Sequence, residues 1–362
     1  MTQREKQILG LIQDNPLISQ QQMADLLGIK RSSVAVHILN LTKKGKIKGK
    51  GYILDDEDDV VVIGGANIDI TGFPNKTLVG GDSNPGSIKN SLGGVGRNIA
   101  ENLSLLGTRT KLITVVGNDA YGSQIIEESS QIGIDCSLIK KVSGNRTSTY
   151  LCVLNSEGDT HMAVNDMKIM DSLTVHDLQK SVKVLKNAKA IVIDTNLKQE
   201  VIQYICENFN QRLYVDTVSF AKADKINEYI SYFHAVKLNL KESELLYGKK
   251  IKSKKAIKEC ITHFINSGVK KVIISLGESG VAFGAKGNYQ EFKIKTDKIL
   301  NTTGAGDAFL AGFIACDLNN KAMLESIQFA SVVSLLTIKN KDSSHHDLSV
   351  ELVRNKMKEL GI

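Results

Sequence analysis

Twelve residues near the carboxyl end, Asn301 to Gly312, read N-T-T-G-A-G-D-A-F-L-A-G and hold the groups best placed to do chemistry. Gly304 and Gly306 bracket Ala305, Asp307 follows at once, and an apolar run that reads as a buried helix then begins. A helix start leaves backbone N–H groups without partners and carries the positive end of the dipole. Glycine removes the Cβ that would hold a bulky anion off that backbone. An anion cradle beside a carboxylate suits phosphoryl transfer: the amides of Gly304, Ala305 and Gly306 would hold developing negative charge, and Asp307 would take the proton of an attacking hydroxyl. Read alone, such a turn is also an ordinary helix cap, and no G-K-[ST] follows to make a Walker loop.

A second constellation lies upstream. Asn67 and Asp69 follow the apolar run Val60-Val61-Val62-Ile63-Gly64-Gly65, and Gly93-Gly94-Val95-Gly96-Arg97-Asn98 opens a helix that Gly107 ends. The glycines are expected to admit a ligand to the backbone. Asp69 and Asn98 together suit a polyol, because a carboxylate accepts from paired hydroxyls and an amide both donates and accepts. Each also has a plain structural reading, Asp69 as a cap and Asn98 as a satisfied turn residue.

These groups need a scaffold. An unbroken apolar run ending in glycines reads as a central parallel strand covered on both faces. Further strands are predicted at 112–116, 190–194, 213–216 and 272–276, with helices at 124–132, 200–208 and 256–266. That alternation implies a doubly wound α/β fold with a mainly parallel sheet. Residues about 73–90 and 148–164 break the pattern as short paired strands, the second a hairpin around Glu157-Gly158-Asp159. They are expected to form a small β lid over the crevice at the strand ends.

The first 54 residues differ in kind. They hold nine Lys and Arg against three acids, and Asp55-Asp56-Glu57-Asp58-Asp59 follows, so a basic module (1–54), an acidic linker (55–59) and a body (60–362) are expected. Ser19 can cap a second helix that ends at Gly28, a short turn leads to a third, and 46–53 alternates like a β-wing. The module resembles bacterial winged helix-turn-helix domains. That resemblance puts Arg31, Ser32, Ser33 and His37 near base edges, and Lys43, Lys44, Lys48 and Lys50 near phosphates of double-stranded DNA. A dimerisation or packing module with a solvated basic face is the alternative.

Composition narrows the setting. The 42% hydrophobic and 23% charged content is that of a globular protein, and no apolar run is long enough to span a bilayer. Five scattered cysteines without a C-x-x-C pair argue against zinc and disulfides, and with no apolar leader at the start they point to the cytoplasm.

The stretch Gly93 to Ala100 looks like the N-terminal signature of the PfkB, or ribokinase-like, carbohydrate kinases, and Asn301 to Gly312 looks like their C-terminal one. Between them, Lys237-Leu238-Asn239-Leu240-Lys241-Glu242 resembles the family's N-x-x-E motif, and Ser275-Leu276-Gly277-Glu278-Ser279-Gly280 its nucleotide-side glycine turn. Gly64 to Asp69, Ser148 to Leu151, Val164 to Met167 and Val215 to Ser219 are most similar to the pseudouridine kinase branch.

The resemblance implies a ribokinase-like fold, ATP and Mg²⁺ as cofactors, and Asp307 as the base that activates a nucleoside 5′-hydroxyl. Asn239 and Glu242 would act on Mg²⁺ through water; Ser275, Gly277, Gly280 and Thr303 would lie along the nucleotide. Asn67, Asp69, Gly93, Gly94 and Asn98 would hold the ribose, and Thr149 and Asp166 would read the base from the lid. Glu242 is equally a first-turn helix acid, Lys222 reads as a solvated helix lysine, and His345-His346 as a solvated loop. Asn301 stands where many relatives carry Asp beside a monovalent-cation site, so little K⁺ dependence is expected. Lid strands pairing across a two-fold axis would make a homodimer. Kinases of inosine, uridine or ribose, and a transcription regulator using the kinase-like body as a ligand sensor, are the competing functions.

Overall fold

A computed structural model describes residues 1–47, 60–294, 303–339 and 345–362; Lys48, Lys50, the acidic stretch 55–59 and Asn301 lie outside them. The chain divides into two compact units, Met1–Glu57 and Asp58–Ile362.

The first unit packs three helices, Gln3–Asp14, Gln20–Leu27 and Arg31–Lys43. Thr2 with Glu5, and Ser19 with Gln22, form reciprocal capping boxes at the first two. Gly28, at φ 61°, ends the second in the left-handed conformation that glycine favours. Ile8, Ile12, Met23, Val34, Leu41 and Ile47 close the small core. The buried Glu5 carboxylate also takes Lys44 Nζ at 2.8 Å, so Lys44 joins the first helix to the end of the third.

The second unit contains β1 (Val60–Ile63), β2 (Asn67–Pro74), β3 (Gly86–Gly93), β4 (Thr110–Ile113), β5 (Val115–Gly117), β6 (Lys140–Val142), β7 (Thr149–Leu154), β8 (Thr160–Asp166), β9 (Ala190–Asp194), β10 (Arg212–Asp216), β11 (Ala235–Asn239), β12 (Lys271–Ser275), β13 (Val281–Ala285) and β14 (Asn288–Phe292). The main sheet runs β14-β13-β12-β11-β10-β9-β1-β4; pairs from β4 to β12 are parallel, and β13 and β14 are antiparallel. Alternate residues of β1 explain its unbroken apolar run. Val61 and Ile63 pack with Val201, Ile205 and Phe264 on one face, and Val60 and Val62 with Ile99, Leu103, Leu310 and Phe313 on the other. The chain leaves β1 for β4 on one side and returns to β9 on the other, so a crevice opens at the carboxyl ends of β1 and β9.

A separate sheet, β3-β2-β7-β8, forms the lid. It begins earlier than expected: β2 starts at Asn67, so Asn67 and Asp69 sit on a lid strand. The strand predicted at 112–116 is two, β4 and β5. β11 and the antiparallel pair β13–β14 were not anticipated, because Lys237 interrupts the first and short polar residues dilute the second. Among the described residues, no helix is long and apolar enough to cross a membrane.

Candidate active site

Asp307 lies in the first turn of helix Ala305–Leu318, entered through Gly304 at φ 75°. Ala308 N donates to Gly304 O at 2.9 Å, so the helical ladder starts there and the amides of Ala305, Gly306 and Asp307 precede it. The carboxylate is buried, and its Oδ2 accepts from Asn98 Nδ2 at 2.9 Å. This one bond joins two signatures 209 residues apart in sequence.

Three strand ends complete the surroundings. Asp194 closes β9, Asp216 closes β10, and Lys237 lies near the end of β11. Lys237 Nζ donates to Asp216 Oδ2 at 2.9 Å, and its chain runs over the helix start: a Cβ at Gly306 would stand 2.5 Å from that Nζ. Glycine at 306 lets the lysine lie beside the helix start, and a methyl there would force the flexible end of Lys237 to shift. Burial, then the Asp216 carboxylate, push Asp307 up to about 7, against the Asn98 bond and the Lys237 charge. Burial works against the Lys237 charge, but Asp216 and Asp307 outweigh it and hold the ammonium above its usual pKa.

The upstream glycine motif behaves differently. Gly96 N and Gly65 N both donate to Asp194 Oδ2, at 2.9 and 2.7 Å, and Arg97 N donates to Gly65 O at 3.1 Å. Two of the amides at this helix start, those of Gly96 and Arg97, are bonded within the protein. A Cβ at Gly93 would meet the Asp69 carboxylate at 2.4 Å, and one at Gly94 (φ 99°) would meet Ala66 and Gly65 at 2.5 Å. Both glycines let β3 and the helix close on Asp69 and on the turn after β1, and the carboxylate set against Gly93 is the one expected to hold the ribose.

Asp69 shares its lid face with Asn67, whose Nδ2 donates to Asp69 Oδ1 at 2.6 Å. Burial raises its pKa, opposed by Asn67 and then by the charge of Arg97. The register sets Asp69 beside Ser91 and Tyr150, and Tyr150 beside Asn165. Thr149 and Asp166 face each other one residue away, on the opposite face with Ile68 and Leu92. Because strand side chains alternate between faces, Tyr150 and Asn165, not Thr149 and Asp166, accompany Asp69.

On the far side, Asn239 and Glu242 form a reciprocal capping box on helix Leu240–Tyr247. Asn239 Oδ1 accepts from Glu242 N at 2.9 Å and Glu242 Oε2 from Asn239 N at 2.8 Å. The first-turn reading of Glu242 is what the geometry shows directly, and the exposed Asn239 stands at the lip. Ser275 Oγ donates to Leu238 O at 3.2 Å. Gly277, at φ 59°, has open space where a Cβ would be, whereas at Gly280 a Cβ would meet Phe292 O at 2.3 Å. Only Gly277 leaves room for a bulky neighbour; Gly280 serves the packing of β14. Thr303 is exposed just before the cradle.

Lys222 is not a solvated helix lysine, since its Nζ donates to Asn196 Oδ1 at 2.6 Å and it is half-buried. Asp194, Asp216, Asn196 and Lys237 were not singled out for roles from sequence. One signal marks two of them: an apolar strand run ends on a carboxylate, as in A-I-V-I-D and L-Y-V-D. In the first unit, Arg31, Ser32 and Ser33 are exposed at the start of the third helix, and His37 is half-buried.

Comparison with known proteins defines the class. Residues 57–349 match the pfkB family of carbohydrate kinases, and residues 1–48 match a winged helix-turn-helix DNA-binding family. The chain belongs to the pfkB carbohydrate kinase family, with a winged helix-turn-helix region at its N-terminus. It is a sugar or nucleoside kinase. It is 35% identical to the uncharacterised sugar kinase YeiI of Escherichia coli over 97% of this chain and 98% of that one. It is also 35% identical to the pseudouridine kinase of Escherichia coli, over 82% and 95%. A crystal structure of a putative sugar kinase from Clostridium perfringens, 31% identical, superposes with a TM-score of 0.76 over 84% of this chain and 96% of that one.

Proposed function

We propose that the protein transfers the γ-phosphoryl group of ATP to the 5′-hydroxyl of a ribonucleoside, with pseudouridine as the preferred acceptor. The observation that carries this reading is the buried Asp307–Asn98 pair at an open helix start, with Lys237 alongside. Asp307 takes the proton of the 5′-hydroxyl as that oxygen attacks. The amides of Ala305 and Gly306, with the Lys237 ammonium, hold the charge on the transferring group. Asn67, Asp69 and Asn98 hold the ribose hydroxyls, and Tyr150 and Asn165 lie where a base above Asp69 would meet the lid.

The nucleotide fits the remaining face. Gly277 leaves open space at the turn after β12, and Asn239 and Glu242 offer oxygens at the neighbouring helix start. ATP would supply the phosphoryl group, and Mg²⁺, which Asn239 and Glu242 would hold, would supply countercharge. The 35% identity to a pseudouridine kinase supports the acceptor. Residues 1–54 form a DNA-binding module, 55–59 a linker and 60–362 the kinase domain. The lid's apolar face (Ile88, Leu151, Met162 and Val164, all exposed) supports a homodimer that buries it. A cytoplasmic location agrees with this chemistry.

The test is ADP release, measured by a coupled assay, with pseudouridine, uridine, inosine, cytidine, ribose and fructose 6-phosphate as acceptors. Pseudouridine is expected to give the highest kcat/KM. A higher value for ribose or a hexose phosphate overturns the nucleoside assignment.

A further inference from the structure

Asn98 is the only neutral side chain among the groups named around Asp307, and an amide has two interchangeable-looking ends. Its Nδ2 must face the carboxylate if it is to donate; turned over, its Oδ1 would oppose a negative charge. Arg97 bears on that choice. Its Nη1 donates to Asn98 Oδ1 at 3.4 Å and to Glu101 Oε2 at 2.8 Å. Guanidinium has no acceptor, so it tolerates only the oxygen end of Asn98. The Arg97 and Glu101 side chains are 4% and 2% exposed, one turn apart on the helix that carries Asn98. A buried ion pair of this kind adds little net stability, because both charges lose their water. Its geometric consequence is definite: a row runs Glu101–Arg97–Asn98–Asp307, ending on the proposed base.

We propose that Arg97, held by Glu101, is a positioning residue that fixes the Asn98 amide so that it donates to Asp307. The inference rests on Asp307 being the base. The groups facing Asp307 are Asn98 from its helix, Asp194 from β9, Asp216 from β10 and Lys237 from β11. Of these, the two carboxylates favour the protonated base, and Asn98 and Lys237 favour the ionised one. Loss of the Asn98 orientation removes one of the two groups that keep the base available near neutral pH. Arg97 also lowers the pKa of Asp69 through its charge, so it serves both ends of the proposed acceptor site.

The test is the pH profile of kcat for the full chain, wild type against two variants. In Arg97→Met with Glu101→Leu, an apolar pair of similar volume replaces the ion pair without stranding a charge. Its acid limb is expected to move up by about one pH unit, the size of one lost hydrogen bond to a charged group. Turnover at pH 6 then falls about tenfold while the plateau above pH 9 is largely recovered. Arg97→Lys, which keeps a cationic donor beside Asn98 Oδ1, is expected to keep the wild-type limb. An unmoved acid limb in the double variant, or a uniform loss at every pH, overturns the proposal. Asp307→Asn is run alongside: full turnover there defeats the base assignment itself, whereas lost turnover there with an unmoved limb in the Arg97 variant defeats only the positioning role.

Discussion

Replacing Asp307 by Asn is expected to remove catalysis and stabilise the fold, and the two effects come from the same burial. Moving a carboxyl from its ordinary value of about 3.9 to about 7 is a displacement of roughly three units, or about 4 kcal/mol. The folded state binds this proton more tightly than the unfolded chain does. Its contribution is therefore intact below about pH 4 and is lost as pH rises through about 7. A neutral amide of the same shape escapes that loss. Relaxation of Asp216 and Lys237 around a neutral neighbour takes back part of the gain, leaving on the order of 2 kcal/mol above pH 7. Urea unfolding of wild type and Asp307→Asn at pH 4, 6 and 8 measures it, with the variant's advantage growing from near zero to its full size. Turnover should meanwhile fall by about 10²–10⁴. A variant no more stable than wild type at pH 8 would refute the claim that this carboxylate is held at a cost for its chemistry.

Other perturbations separate packing from chemistry. Glu242→Gln keeps the reciprocal cap with Asn239 and should leave stability within about 0.5 kcal/mol while raising the Mg²⁺ concentration needed for half-maximal turnover. Glu242→Ala should also lose about 1 kcal/mol of stability. Gly306→Ala places a methyl 2.5 Å from Lys237 Nζ, so kcat should fall with little change in nucleoside KM; an unchanged kcat removes Lys237 from the cradle. Replacing K⁺ by choline should leave turnover nearly unchanged, and a steep requirement for K⁺ contradicts the expectation drawn from Asn301. Arg31→Glu with Ser33→Glu should weaken duplex affinity and flatten its salt dependence, whereas unchanged binding takes the third helix out of the interface.

The half of the candidate site around Asp307 was legible because glycine and charge mark it: G-A-G-D names a helix start and its first-turn carboxylate in adjacent residues. The fold was legible where β1 and β9 run apolar on both faces. What stayed hidden depends on packing between distant segments. Gly93-Gly94-Val95-Gly96 looks as open as Gly304-Ala305-Gly306 in sequence, yet Asp194 takes the Gly96 amide and Gly65 the Arg97 amide, and no local pattern announces those partners. The face of a lid strand is set by register, so a one-residue displacement separated Thr149 and Asp166 from Tyr150 and Asn165. Lys237 was passed over as part of a motif, since its reach across Gly306 follows only from the order β10-β11 at the crevice.

The most direct measurement is the position of phosphate in the product. Pseudouridine and ATP are incubated with wild type and with Asp307→Asn, and the nucleotide formed is resolved by phosphorus-31 NMR. A single 5′-phosphomonoester from wild type, equal in amount to ADP, with nucleoside binding but almost no product in the variant, is the predicted result. Phosphate on another hydroxyl, or equal product from both proteins, contradicts it.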